Sequence, residues 1–527
     1  MAQRDPGTTS EQPARLDEAQ QAATGDMPVA TLRAALHETA DLVADYIENV
    51  EDYAVLPRIE PGELTLRLAG PAPEDPEPLE RIMRDVAAEV VPNVTHWQHP
   101  GNLAYFSSTA SGIGLLGEMI TTGLNANAFL WRTSPAGTEL EAISVGWLRD
   151  GLGLPADFDG VLNDTASTSS LAALAAARQH ATGDASLKGL VASQKLRIYT
   201  SAEAHSSIER AAMVLGIGRD GVRKIPVDHD LAMDAAALQL AITEDRAAGW
   251  LPAAVVATIG TTSTTAIDPT DAIADICAAE GIWLHVDAAY AGPAALIPEM
   301  RGYFQGWERA DSIVVNPHKW MFTPLDCSLL LTRRMDVLRD ALSLVPEYLR
   351  TTDGKDAERN YSEYVPQLGR RARGIKVWMQ LRYFGLAGLR ARLQYHLDLA
   401  SELAGWIDRD PDAQRMAPVP FGTVCFRWCP RRHAGREGEP QVALALDALN
   451  ERLMKRLNES GDVFLSHTRI EDRFTLRISI GGIRTERRHI EHAWQLVRSI
   501  ATEIDGHPAS NGHPASNGHS MSTGLSR

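Results

Sequence analysis

Between residues 110 and 380 the chain alternates short apolar strands with helical segments, and this alternation is what most constrains its fold. Near-continuous apolar, β-branched runs occur at 197–200, 254–258, 283–286 and 313–315. Segments with helical periodicity lie between them, at 171–179, 205–215 and 269–279. Strands that are apolar on both faces are typical of parallel sheets that helices cover on both sides. The sequence therefore predicts an α/β protein with a mostly parallel central sheet covered by helices, which binds ligands at the carboxyl ends of its strands.

Segments on either side of this core predict two smaller units. Apolar residues recur at helical spacing over 32–50 and again over 79–91, and a proline-rich stretch joins the two segments. These helices have no sheet of their own, so they need the large domain or another subunit as a partner surface. Beyond residue 385, helical patterns at 386–406, 442–459 and 485–504 accompany strand patterns at 423–428 and 474–480. This combination predicts a smaller α+β domain.

These patterns predict five consecutive regions. They are a disordered leader over 1–27, an N-terminal helical arm or dimerisation segment over 28–109, a large domain over 110–384, a small C-terminal domain over 385–505, and a disordered tail over 506–527. The tail repeats Gly-His-Pro-Ala-Ser-Asn, a low-complexity composition that cannot pack a core. Its histidines could bind metal weakly, but a plain disordered tail is the favoured interpretation.

Charge and cysteine content exclude several classes of function. The chain has 51 basic and 68 acidic residues and a net charge of −17, so no basic face favours nucleic acid or an acidic membrane surface. Its four cysteines form no CxxC pair, which favours reduced thiols in a cytoplasmic protein. We expect no membrane span, since no apolar run is long enough. No H-E-x-x-H or paired-cysteine motif is present, so we expect no bound metal.

The chemistry is indicated by two segments that follow apolar strands. Lys319 lies in Asn316-Pro317-His318-Lys319-Trp320, with apolar residues on both sides, so its amine should be desolvated and its pKa lowered. Asp287 directly follows the predicted strand 282–286, where a carboxylate is costly unless a cation pairs with it. Pyridoxal phosphate requires this combination, because a lysine attaches to its aldehyde and a carboxylate pairs with its protonated pyridine nitrogen.

Three further segments have two interpretations each. Small hydroxyl residues at 164–170 form either a phosphate site at a helix start or a plain Ser/Thr N-cap. His205 either stacks on the cofactor ring or caps the following helix. The turn at 260–264 either places a hydroxyl near the ring or is an ordinary polar loop.

Several motifs occur together in the order and spacing of one family. They are Val94-Thr95-His96-Trp97, Ala104-Tyr105-Phe106, Ser134 to Glu141, Ala204 to Arg210, His285 to Gly292, Asn316 to Trp320, Asp326-Cys327-Ser328 and Gly369-Arg370-Arg371. The chain resembles the group II pyridoxal-phosphate-dependent amino-acid decarboxylases of the aromatic-L-amino-acid decarboxylase type. The resemblance covers residues 30–503.

The resemblance implies fold type I and a homodimer with active sites at the subunit interface. It implies that Lys319 carries the cofactor, that Asp287 pairs with the pyridine nitrogen, and that His205 stacks on the ring opposite Ala289. The remaining implied cofactor contacts are Thr262 beside the ring and Ala166, Ser167, Asn316 and His318 at the phosphate. The implied substrate pocket consists of Trp97, Tyr105, Phe106, Gly369 and, from the second subunit, Phe129.

The resemblance also implies the reaction. Tyr348, in a mobile catalytic loop at 346–350, would protonate Cα after carbon dioxide leaves. Members that form aldehydes tend to replace this tyrosine with phenylalanine, or the stacking histidine with asparagine, whereas this chain has Tyr348 and His205. We therefore expect decarboxylation of an aromatic L-amino acid to an arylethylamine. The alternatives are an aldehyde synthase, a decarboxylase of a non-aromatic amino acid, and a catalytically inactive protein that binds the cofactor.

Two residues bear on the substrate. Asn127 lies where animal members carry an aliphatic residue near the substrate. Gly369 lies where plant relatives carry glycine with indole substrates and serine with phenols. Gly369 therefore favours tryptophan.

Overall fold

The computed structural model describes residues 15–191, 194–344 and 358–506, and in these residues the strands form two sheets. In chain order the strands are β1 Asp159–Asn163, β2 Leu196–Ser201, β3 Val222–Ile225, β4 Leu251–Thr258, β5 Trp283–Asp287, β6 Ser312–Val315, β7 Ser328–Thr332, β8 Ala413–Arg415, β9 Thr423–Trp428, β10 Ser466–Ile470 and β11 Arg473–Ser479. The α-helices are α1 Glu18–Ala22, α2 Val29–Glu48, α3 Glu63–Leu68, α4 Leu79–Asp85, α5 Gly112–Gly123, α6 Pro135–Leu152, α7 Ala166–Thr182, α8 Ala185–Lys188, α9 Ser207–Val214, α10 Ala235–Ala247, α11 Thr270–Glu280, α12 Pro317–Trp320, α13 Met335–Leu342, α14 Arg373–Arg409, α15 Pro440–Ser460 and α16 Arg487–Gly506.

The larger sheet has the strand order β1-β7-β6-β5-β4-β2-β3. The pairs from β3 through β6 are parallel, whereas β7 is antiparallel to both β6 and β1. Since β7 alone reverses direction, the carboxyl ends of the other six strands meet at one edge. The sheet confirms the predicted mostly parallel α/β class.

Helices cover the larger sheet on both faces, as the apolar strands predicted. Val255 and Val256 are neighbours in β4, point to opposite faces, and are both fully buried. Val255 packs in one core with Leu284 and Ile313, and Val256 packs in the other with residues of α7. Strand β4 therefore contributes to two hydrophobic cores.

Strands β1 and β7 were not among the predicted strands. In β1, Gly160 lies directly against β7, where an added Cβ would lie 2.3 Å from the carbonyl oxygen of Leu330. Any larger residue would separate the two strands, so a glycine is required at this position. The pairing with β7 places β1 at the outer edge of the sheet, and α7 begins shortly after β1 ends.

The smaller sheet has the order β10-β11-β9-β8 and is antiparallel throughout. It packs against α14, α15 and α16 around a separate hydrophobic core. Helix α14 is broken at Gly385, where φ is +63°, and the predicted boundary between the two domains falls at this residue. The helices and the two strands predicted for this region are present.

The first helices of the N-terminal arm, α2, α3 and α4, lie on the surface of the chain. Helix α2 contains no buried residue, and Val29, Leu32 and Leu36 on it are 71%, 43% and 41% exposed. Helix α1 lies inside the segment predicted as a disordered leader. Across the described ranges, no helix combines the length and apolar composition that are needed to cross a membrane.

Candidate active site

Lys319 lies at the carboxyl edge of the larger sheet, on the short helix α12 that follows β6. The turn is held by the backbone N–H of Asn316, which donates to the Ala289 carbonyl at 3.0 Å. It is held again by the Ser108 hydroxyl, which donates to the His318 carbonyl at 3.0 Å. Burial lowers the pKa of the Lys319 amine, and the nearby charge of Asp287 partly opposes this shift. The burial of the amine and its lowered pKa agree with the expectation drawn from the apolar residues on either side of Lys319.

Asp287 is the last residue of β5 and is 6% exposed. Its Oδ1 accepts a hydrogen bond from the backbone N–H of Ala289 at 3.1 Å. Within the described ranges, no other hydrogen-bond donor reaches this carboxylate. A buried carboxylate with one neutral donor can accept a further charged partner.

Asn316 and His318 lie on either side of Pro317 and are both buried. His318 Nδ1 accepts from the backbone N–H of Cys327 at 3.0 Å, and burial lowers the pKa of the imidazole to about 4. The ring is therefore neutral near pH 7 and carries its proton on Nε2. The side-chain oxygen of Asn316 is buried without a hydrogen-bond partner among the described residues. An unsatisfied buried polar atom costs about 1–3 kcal/mol, which indicates a place for a bound group.

The start of α7 bears on the choice between a phosphate site and a plain Ser/Thr N-cap. The N-cap residue Thr165 is extended, but its side chain makes no capping hydrogen bond. Instead Asp164 accepts from the Thr165 N–H. The first N–H groups of the helix, at Ala166, Ser167 and Thr168, are left without intrahelical acceptors. With the positive end of the helix dipole, these N–H groups are suited to hold an anion.

His205 follows β2, and its Nδ1 accepts from the backbone N–H of Ser207 at 3.1 Å. This capping bond explains why α9 begins at Ser207 rather than at residue 205, where the periodicity placed it. Partial burial lowers the pKa of His205, with a smaller contribution from Lys319, whereas Asp287 acts in the opposite direction. The charges of both Asp287 and Lys319 therefore act on the pKa of His205. Capping does not exclude stacking on a cofactor, because it uses an edge of the ring.

An aromatic stack lies beside the lysine. Lys319 Nζ is 5.1 Å from the centroid of the Phe106 ring. Phe106 stacks on Tyr290 at 3.8 Å, and Tyr290 stacks on Trp320 at 5.0 Å. The indole N–H of Trp320 donates to His396 Nδ1 at 3.0 Å, and His396 Nε2 donates to the Gly482 carbonyl at 3.1 Å.

Tyr290, Trp320 and His396 were not among the predicted site residues. Tyr290 and Trp320 are inside motifs, so their position was a usable signal. Nothing in the sequence pattern identified His396.

The predicted substrate residues fall into two groups. Trp97 and Tyr105 stack at 6.3 Å near Phe106, and Tyr105 is 54% exposed with φ at +54°. Phe129 and Gly369 belong to the second group.

The second group surrounds Arg370. The carbonyl of Phe129 accepts from the Ser362 N–H at 3.0 Å, and the N–H of Arg370 donates to Asn127 Oδ1 at 2.9 Å. Arg370 forms a buried ion pair with Glu141 at 2.7 Å. Among the described residues, no hydrogen bond or ring contact joins Phe129 or Gly369 directly to Lys319. Tyr348 lies outside the described residues.

These groups fit pyridoxal phosphate. The desolvated amine of Lys319 suits attachment to an aldehyde, and Asp287 suits a protonated ring nitrogen. The free N–H groups of α7 and the unpaired Asn316 oxygen suit a phosphate. Thr262 is exposed in the loop after β4, and its carbonyl accepts from Arg477 at 2.8 Å. No cluster of three or more histidine, cysteine or acidic side chains in the described ranges could hold a metal ion.

Comparison with known proteins decides the family. The pyridoxal-dependent decarboxylase conserved domain matches residues 61–429. The chain belongs to the pyridoxal-dependent decarboxylase family. A phenylacetaldehyde synthase of Rosa hybrid cultivar is 38% identical over 478 residues, which are 89% of this chain and 93% of that protein. A tryptophan decarboxylase of Camptotheca acuminata is 37% identical over 476 residues, 88% of this chain and 93% of that protein.

A solved structure of the family supports the same assignment. The crystal structure of Oryza sativa TDC with PLP and tryptamine superposes with a TM-score of 0.87 at 34% identity, covering 91% of this chain and 99% of that one. The resemblance identified from the motifs is therefore confirmed. The chain is a pyridoxal-phosphate-dependent carboxy-lyase of fold type I.

Proposed function

We propose that this decarboxylase converts an aromatic L-amino acid into the corresponding arylethylamine and carbon dioxide. The observation that carries the proposal is the position of Lys319 Nζ beside the Phe106 ring, at the start of the Phe106–Tyr290–Trp320 stack. A flat aromatic wall next to the reactive amine favours a planar side chain, because offset aromatic pairs add about 0.5–1.5 kcal/mol beyond area burial.

Each polar residue of the site has a role in this proposal. Pyridoxal phosphate, when bound, supplies an electron sink for the electrons of the breaking Cα–carboxylate bond. Lys319 holds the cofactor, and the lowered pKa of its amine increases the neutral, nucleophilic fraction. Asp287 keeps the pyridine nitrogen protonated, and His205 and Ala289 lie on opposite faces of the ring. The phosphate is held by Ala166, Ser167, Asn316 and His318, and Thr262 lies beside the ring.

The substrate side chain lies among Trp97, Tyr105 and Phe106 and is completed by Phe129 of the partner subunit. Gly369 favours an indole substrate, because plant relatives carry glycine at this place with indole substrates and serine with phenols.

The protein is proposed to act as a homodimer. Helix α2 has an apolar stripe and no buried residue in the single chain, so a second copy would cover it. Phe129 makes no hydrogen bond or ring contact with Lys319 among the described residues, which also favours its acting in the site of a partner subunit. A cytoplasmic location is favoured by four buried cysteines that are all unpaired thiols.

Tyr348 is proposed to protonate Cα after carbon dioxide leaves. This residue decides between an amine product and the aldehyde named for the phenylacetaldehyde synthase relative. The presence of both Tyr348 and His205 favours the amine.

A product assay tests the proposal. Purified protein with pyridoxal phosphate is given L-tryptophan, L-tyrosine, L-phenylalanine and L-Dopa, and carbon dioxide, amine, aldehyde and hydrogen peroxide are measured together. We expect equal amounts of amine and carbon dioxide, no peroxide, and the highest kcat/KM with tryptophan. The variant Tyr348→Phe should produce aldehyde and peroxide. Peroxide from the unaltered protein, or turnover of non-aromatic amino acids alone, would contradict the proposal.

A further inference from the structure

Arg477, on the central strand β11 of the smaller sheet, is a buried cation without an acidic partner. The residue is 4% exposed. No carboxylate among the described residues lies within ion-pair distance of its guanidinium. Burial of an unpaired charge is costly unless hydrogen bonds satisfy it. The energetic cost of burying the Arg477 charge is not offset by an ion pair, which points to a function for this side chain.

The guanidinium donates to three acceptors outside its own strand. Nε donates to the Ser263 carbonyl at 2.7 Å, and Nη2 donates to the Thr262 carbonyl at 2.8 Å. Nη1 donates to the Ser466 hydroxyl oxygen at 2.9 Å, and that oxygen accepts from the backbone N–H of Tyr105 at 3.1 Å. One planar group thus connects the smaller sheet to the loop carrying Thr262 and to the segment carrying Tyr105.

Two neighbours strengthen the attachment of the Thr262 loop. The thiol of Cys425 donates to the Ser263 carbonyl at 3.4 Å, and the Thr468 hydroxyl donates to the Ser263 hydroxyl at 3.1 Å. Arg477 also lies 5.5 Å from the centroid of Phe106, the ring that Lys319 approaches at 5.1 Å. Arg477 therefore contacts the segments of one predicted cofactor residue and two predicted substrate residues.

We propose that Arg477 is a positioning residue that fixes the Thr262 loop and the Tyr105–Phe106 segment relative to each other. The inference rests on the proposed function, in which Thr262 lies beside the cofactor and Tyr105 and Phe106 contact the substrate. A lysine cannot replace it, because two carbonyls and a hydroxyl require the fixed fork of a guanidinium. Arg477 acts through these residues and touches no reacting atom.

The test compares Arg477→Lys with Arg427→Lys. Arg427 is a matched control, because it is fully buried on the neighbouring strand β9 but pairs with Asp447 at 3.0 Å. Three properties are measured for each variant: the melting temperature, the dissociation constant of pyridoxal phosphate from the apo-protein by fluorescence, and the circular dichroism of the bound cofactor. The first reports stability, and the other two report cofactor position without any turnover.

We expect Arg477→Lys to weaken cofactor affinity about tenfold or more and to change the cofactor dichroism, because small displacements of positioning groups have large effects. Arg427→Lys should lower the melting temperature at least as much and leave both cofactor readouts unchanged. The proposal is overturned if the two variants lose stability alike while Arg477→Lys retains the cofactor affinity and dichroism of the unaltered protein.

A milder variant keeps the test decisive if Arg477→Lys does not fold. Ser466→Ala removes only the oxygen that joins Arg477 to the Tyr105 N–H. We expect a rise in KM with little change in kcat or in cofactor dichroism, since Tyr105 is proposed to contact the substrate. An unchanged KM would refute the link to Tyr105. If the protein binds the cofactor but turns over no aromatic amino acid, the proposed function is wrong. The affinity and dichroism of the bound cofactor still test the role of Arg477 in that case.

Discussion

The substitution Glu141→Gln tests whether a buried charge holds the segments that carry Phe129 and Gly369. The Glu141 side chain is fully buried, and its partner Arg370 is 2% exposed. Glu141 Oε1 accepts from Arg370 Nη2 at 2.7 Å and from the Leu162 N–H at 2.8 Å, whereas Oε2 has no hydrogen-bond partner. Glutamine keeps the shape and the Oε1 acceptor, so the substitution removes the charge and places an amide NH2 group at the position of the unpartnered Oε2.

The expected cost follows from what remains around Arg370. Breaking a buried ion pair costs about 3–5 kcal/mol, because one charge is left unpaired. The guanidinium still donates to the carbonyls of Ala128 at 3.0 Å and Leu162 at 2.8 Å, and it lies 4.7 Å from the Tyr361 ring. These contacts place the expected loss in unfolding free energy at the lower end, about 3 kcal/mol.

Urea unfolding followed by circular dichroism measures this loss from the shift in midpoint. The control is Glu402→Gln, which removes an exposed pair with Arg487 at 2.8 Å, with side chains 43% and 58% exposed. The control should cost less than about 1 kcal/mol. A loss for Glu141→Gln no greater than that of the control would refute the idea that this charge pair organises the segment.

Three further predictions concern the site and the core. Asp287→Asn should lower kcat by about two to three orders of magnitude, because it removes the charge that is proposed to keep the pyridine nitrogen protonated; steady-state kinetics at saturating cofactor check this. His396→Leu leaves the Trp320 indole N–H unpaired and should lower the unfolding free energy by about 1–3 kcal/mol, measured by urea unfolding. Burial raises the pKa of Asp268 to about 7, above its unfolded value, so its stabilising contribution is complete below about pH 4 and is lost as pH rises through the folded pKa. Relative to Asp268→Asn, the unaltered protein should therefore lose up to about 4 kcal/mol of stability between about pH 4 and pH 8, and parallel pH profiles would contradict the assignment.

The sequence predicted elements whose burial makes them apolar. Trp283 to Val286 was recognised as a strand because both of its faces are covered. Strand β10, Ser466–Ile470, was missed because its burial is partial and four of its five residues are polar. The local amino-acid composition indicates whether a strand is buried. It is a poor indicator of strand pairing when one face of the strand is exposed to solvent.

The residues of the site likewise divide into those that could be predicted from the sequence and those that could not. Lys319 and Asp287 were found because strand ends of a parallel sheet converge on one edge. The contacts of Trp320 with His396 and of Arg370 with Glu141 join residues 76 and 229 positions apart. Such pairings depend on packing of distant elements, and no spacing in one sequence encodes them. The assignment of Phe129 to a neighbouring subunit came from the resemblance and stays a prediction.

The most direct test of the account is to identify the lysine that carries the cofactor. The sequence contains seven lysines, and one of the others, Lys376, is buried and is tied to Glu118 and to the carbonyls of Pro324 and Asp326. Borohydride reduction of the protein with bound pyridoxal phosphate, followed by peptide mass mapping, should place the cofactor mass on Lys319. The mass should be absent in Lys319→Ala and retained in Lys376→Gln. Modification of Lys376, or of any other lysine in place of Lys319, would contradict the account.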